Sequence, residues 1–105
     1  MTEQLESIVF CGRLGKPPEF RHSKNKDIPM CFLDVAENKE SEEETTWHRV
    51  IVWGEQAEYC RSRLKTGVEF FVQGRKQRRK FTDKKGETRQ VEEIKARLIG
   101  LPYGV

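Results

Sequence analysis

The chain has 105 residues, 35% hydrophobic and 35% charged, with a net charge of +3 and a pI near 8.8. That length suits one domain, spanning 1–105, and the low hydrophobic share leaves either a small, efficient core or burial shared between subunits. No stretch approaches the roughly 18 apolar residues of a membrane helix, and MTEQLESIVF lacks the basic start and apolar centre of a signal peptide.

A cytoplasmic location is therefore expected. Cys11, Cys31 and Cys60 have neither metal-ligand nor redox spacing, and their number is odd. They read as reduced, structural thiols of a reducing compartment. His22 and His48 add no ligand pattern, so no metal and no cofactor is expected.

The first strand candidate is Leu5 to Leu14, with Gly12 marking a bulge or a close backbone approach. Gly15-Lys16-Pro17-Pro18 breaks it, and Glu19 to His22 extends it after a kink. A polar turn leads to the second strand, Met30 to Glu37, where Cys31, Leu33 and Val35 alternate with Phe32, Asp34 and Ala36. After a glutamate-rich loop, Thr46 to Trp53 forms the third strand. A helix is expected from Glu55 to Lys65, because Ala57, Cys60 and Leu64 recur at helical spacing. The fourth strand is Glu69 to Phe81, Lys85-Gly86 marks the turn of a long hairpin, and the fifth strand is Thr88 to Leu101. The apolar members of that last strand, Val91, Ile94, Leu98 and Ile99, do not alternate strictly, which calls for a bulge or bend. Three strands, a short helix and two strands is the order of an OB-fold, an all-β, five-stranded Greek-key barrel.

The third strand carries the strongest chemical signal. Alternation puts Trp47, Arg49, Ile51 and Trp53 on one face and His48, Val50 and Val52 on the other. Two indole rings flanking a guanidinium suit stacked bases and their phosphates. The competing reading, a pair of core tryptophans, meets the difficulty that Arg49 would then need a buried partner. Ile51, by contrast, sits awkwardly on an exposed face and is expected to lie there between bases and ribose. The run Arg75-Lys76-Gln77-Arg78-Arg79-Lys80 leads into Phe81 with Lys84 and Lys85 beyond. One-signed charge ending in an aromatic fits a groove that neutralises phosphates and stacks bases; the alternative is a hairpin kept soluble by charge. Among the serines, histidines and acidic residues none has a recognisable nucleophile setting, so binding rather than catalysis is expected.

The pieces FCGRLG at Phe10–Gly15, PEFR at Pro18–Arg21, WHRV at Trp47–Val50, Trp53-Gly54, Gln73-Gly74 and RKFTD at Arg79–Asp83 resemble the bacterial single-stranded DNA-binding protein family, in its order and nearly its spacing across residues 5–101. The resemblance implies an OB-fold that binds single-stranded DNA without sequence preference and assembles as a tetramer, less often a dimer. It implies base stacking by Trp47, Trp53 and Phe81 and basic contacts by Arg21, Arg49, Arg79 and Lys80. Arg75 and Arg78 join that set from the basic run, and the family position of His48 implies an oligomer interface.

Two departures from the family are apparent. The sequence ends at Leu101-Pro102-Tyr103-Gly104-Val105 without the acidic tail that recruits replication and repair proteins, so that route to partners is expected to be absent. The loop from Asn38 to Glu44 is acidic where the family commonly has an aromatic, and its glutamates are expected to weaken binding within a Debye length of about 8–10 Å. An alternative on the same fold resembles the primosomal replication protein N, a dimer that bridges replication proteins. An RNA-binding OB domain is a third reading, since nothing in the chain singles out the 2′-hydroxyl.

Overall fold

Seven elements are present in the computed structural model, which describes residues 2–39 and 45–101: β1 (Thr2–Leu14), β2 (Glu19–His22), β3 (Pro29–Glu37), β4 (Trp47–Trp53), α1 (Glu55–Arg63), β5 (Glu69–Thr82) and β6 (Thr88–Gly100). The acidic residues Glu40, Glu42, Glu43 and Glu44 and the terminal 102–105 lie outside the described residues.

The strands run in the order β1-β5-β6-β4-β3-β2, and a further β1–β3 pairing closes a ring of β1, β5, β6, β4 and β3. This is the closed barrel of an OB-fold. β1 and β2 share one edge of β3: β2 covers Pro29 to Phe32, and the end of β1 covers Val35 to Glu37. They are one strand split by Gly15-Lys16-Pro17-Pro18, as the sequence pattern predicts. All pairings are antiparallel except β4–β6, where Val50 meets Ile94 and Ile51 meets Lys95.

Closure depends on a close approach of β1 to β3. A Cβ on Gly12 would lie 2.5 Å from the Ala36 carbonyl oxygen, so only glycine lets the backbones meet there. Inside, Phe10, Leu33, Val35, Val50, Val52, Phe70, Val72 and Ile94 form the core. Fully burying such a side chain contributes about 1.5–3 kcal/mol.

Helix α1 docks Ala57 and Cys60 into that core, with Leu64 just beyond its end. Gly54 precedes it without a side-chain cap, so a helix this short draws its stability from docking. The Gln56 amide ties it to β6. Its Nε2 donates to the Arg97 carbonyl at 2.7 Å, and its Oε1 accepts from the Ile99 amide at 3.0 Å. A bulge lies beside these groups: Gln73 faces Leu98 and Gly74 faces Ala96, leaving Arg97 unopposed. The irregular apolar spacing of the last strand has this cause.

Cys31 and Cys60 are buried, and burial pushes their thiols up to about 11 and about 12. Cys11 departs from the expectation of a packed thiol, because strand alternation turns it outward from β1 and leaves it exposed. Ile51 departs in the opposite direction. It is only 4% exposed, since Phe32 lies directly opposite it on β3 and Lys95 on β6.

Candidate nucleic-acid interface

On β4 the residues alternate as the pattern requires: Val50 and Val52 are fully buried, and Trp47, Arg49 and Trp53 reach solvent on the opposite face. Register extends that face onto β3, where Met30 meets Trp53, Phe32 meets Ile51 and Asp34 meets Arg49. β2 adds Arg21 opposite Met30. From the hairpin, Gln77 and Arg79 face Glu93 and Val91 on β6. Together Arg21, Phe32, Arg49, Trp53, Arg79 and Lys95 line a groove of about 710 Å³, with Ile51 and Met30 in its floor.

Trp47 stands at one end and is 58% exposed. Its ring lies across Gly15, where an added Cβ would come within 2.4 Å of it. With Gly15, Lys16, Asp34 and Arg49 it borders a second concavity of about 490 Å³, and Arg49 lines both. Phe81 is 41% exposed, two residues beyond Arg79 on the same side of β5. The Arg79 guanidinium carbon is 5.6 Å from its ring centre.

The groove arginines are held by carboxylates. Arg49 pairs with Asp34 at 3.3 Å and, more loosely, with Glu19 at 3.9 Å; Arg21 also pairs with Glu19. These pairs are half-exposed and contribute about 0–1 kcal/mol each. Their geometric effect is larger, since both guanidiniums lie over the Phe32 ring, at 4.5 Å for Arg21 and 5.0 Å for Arg49. Arg79 differs. Its Nε donates to Glu93 Oε1 at 2.9 Å, and the Gln77 amide donates to the same oxygen at 3.1 Å. The Glu93 side chain is only 2% exposed. That hydrogen bond, more than any other influence, raises the pKa of Arg79.

Of the basic residues singled out from the sequence, Arg21, Arg49 and Arg79 meet in the groove. Arg78 and Lys80 alternate to the other face of β5, where Arg78 pairs with Glu3 at 3.0 Å and Glu92 at 3.5 Å. Arg75 donates to the Leu5 carbonyl at 3.0 Å and borders a different concavity. His48 points inward: its Nε2 is 2.7 Å from Glu37 Oε1 and its ring centre is 4.5 Å from that of Phe10. Among the described residues, no group of three or more His, Cys, Asp and Glu could hold a metal ion, and no helix is long and apolar enough to cross a membrane.

Phe32, Gln77, Glu93 and Lys95 escaped the sequence reading as groove residues. Only Phe32 carried a signal, since it alternates with the apolar Cys31 and Leu33 and so had to face outward. Lys95 enters the groove through the parallel β4–β6 pairing, which leaves no local pattern.

The closed barrel with its single helix is an OB-fold, and one face of it is lined by aromatic and arginine side chains. Residues 5–101 match the single-strand binding protein family, and the chain belongs to it. It is similar to single-stranded DNA-binding protein 1 of Chlorobaculum tepidum, being 34% identical over 101 residues, a match covering 90% of this chain. The matched stretch spans 62% of that relative's length.

Proposed function

We propose that this protein binds single-stranded DNA without sequence preference, holding it along the path from Trp47 past Arg49 into the groove of Trp53 and Arg79 and on to Phe81 beyond it. The observation that carries this reading is the pair of solvent-reaching tryptophans on the groove face of a strand whose opposite face is core. Each base stacked on such a ring gains about 1–3 kcal/mol, whatever its identity. Arg21 and Arg49 contribute guanidinium planes as well as charge, being stacked already on Phe32. Lys80, Arg78 and Arg75 then act on phosphates outside the groove. The role is protection of exposed strands during replication, recombination or repair, in the cytoplasm, with no catalytic step.

The proposal includes a homo-oligomer, a tetramer or else a dimer. It is supported by the open edge of β1, which pairs with β5 on one side and meets β3 only at Gly12 to Leu14. An unpaired edge is a template for another strand. His48 takes part by bracing Phe10 on that strand from within.

Titration with oligo-dT and oligo-U at two salt concentrations, read by tryptophan fluorescence beside a mass measurement in solution, tests the reading. Strong quenching by oligo-dT that weakens steeply with salt is the expected outcome. Retained protein-partner binding without quenching would favour the bridging role instead.

A further inference from the structure

The cations lining the groove are Arg21, Arg49, Arg79 and Lys95. Each of these arginines has a carboxylate against it: Glu19 for Arg21, Asp34 for Arg49 and Glu93 for Arg79. A groove built only to attract phosphate would gain from leaving the guanidiniums free. Glu93 is the clearest case, because its side chain is 2% exposed while that of Arg79 is 42% exposed. Water alone can solvate Arg79, whereas burying a carboxylate beside it is costly unless the pairing is good.

The pairing is good. Arg79 meets Glu93 side-on, with Nε donating to Oε1 at 2.9 Å and Nη2 to Oε2 at 3.4 Å. The Gln77 amide adds a third donor at 3.1 Å. This leaves the Nη1 edge and the plane of the guanidinium for a ligand. A phosphate on that edge stands within about 8 Å of Glu93, one Debye length at physiological salt, so the carboxylate offsets much of the attraction. An uncharged base stacked on the guanidinium plane meets no such repulsion.

We infer that Glu93 is a specificity-determining residue acting through Arg79: by neutralising the guanidinium in place, it lets the groove accept exposed bases and denies it to polyanions that present phosphate alone, duplex DNA above all. Glu19 and Asp34 act in the same way on Arg21 and Arg49, more weakly because they are more exposed. The inference rests on the proposed binding of single strands in this groove. It works against the wrong ligand: a duplex hides its bases, so with the arginines paired it gains neither stacking nor full counterion release.

Glu93→Gln tests this, being uncharged and close in shape. Affinity for labelled oligo-dT and for a duplex of equal length is read by anisotropy over a range of salt, with tryptophan quenching and urea denaturation in parallel. The expected result is a smaller preference for oligo-dT, with the duplex gaining most at low salt. One added phosphate contact steepens the duplex slope of log K against log salt by roughly 0.9, so a fourfold drop in salt strengthens duplex binding about 3.5-fold more than in the unaltered protein. Unchanged slopes with an unchanged preference overturn the inference. So does a loss of affinity for both ligands, which would make Glu93 only a brace for Arg79. If Glu93→Gln fails to fold, Asp34→Asn carries the same test at Arg49, on a more exposed carboxylate. Oligo-dT that fails to bind or to quench the unaltered protein refutes the groove reading. A protein that quenches normally, with a preference that neither variant moves, refutes this inference alone.

Discussion

Arg79 lines the groove and also holds a buried carboxylate. Its partner Glu93 is buried, so Arg79→Ala strands a carboxylate in the groove wall with only the Gln77 amide beside it. Leaving such a group short of partners costs about 1–3 kcal/mol. Urea denaturation should show that loss, and adding Glu93→Gln should recover part of it; equal losses in the single and double variants would contradict the pairing. The thiols sort in the same residue-by-residue way. Burial holds Cys31 and Cys60 in the unreactive neutral form up to about pH 11 and 12. Alkylation of the folded protein at neutral pH should label Cys11 alone, with the other two reacting only after unfolding. What was legible at this scale was residue type and strand face, as for Trp47 and Arg49. The pairing of Arg79 with Glu93 was not, because the two residues meet only once β5 and β6 are in register.

The β5–β6 hairpin is the element that shapes the far wall of the groove, and its tip is held by Asp83. That carboxylate accepts from the Lys85 and Glu87 amides at 2.9 and 3.0 Å and from Arg89 at 2.8 Å. The Arg89 bond first, then the turn amides, holds its pKa below the usual carboxylate range. A depressed carboxylate orders the tip above its ordinary pKa near 4, and this order is lost as pH falls through the lowered value. Hydrogen exchange at Lys85 and Glu87 should therefore stay slow to below pH 4, and Asp83→Ala should speed it at neutral pH while the barrel amides are unaffected. Uniform acceleration would show that the tip is not an independent unit. The hairpin itself was readable from Lys85-Gly86, and the helix from the spacing of Ala57, Cys60 and Leu64. The kink into β2 was readable from the proline pair. The position of the bulge was not, because it appears only in the register of β5 against β6, where Arg97 has no residue opposite.

At the scale of the whole molecule, closure of the barrel turns separate strand faces into one continuous surface. Alternation alone divides β3 into an inner and an outer face. Only the ring of five strands puts Phe32, Ile51 and Lys95 side by side and carries the groove from Trp53 to the hairpin. The order of elements made the OB-fold predictable, while the pairing of β4 with β6 joins segments too distant for local pattern to reveal. The central claim is that the outward tryptophan face exists for binding and the inward valine face for stability. Trp53→Ala separates the two. Its oligo-dT affinity should fall by roughly 5- to 150-fold, as loss of about 1–3 kcal/mol of stacking requires, with cooperative unfolding retained in urea. Undiminished affinity, or a chain that no longer folds, would contradict the account.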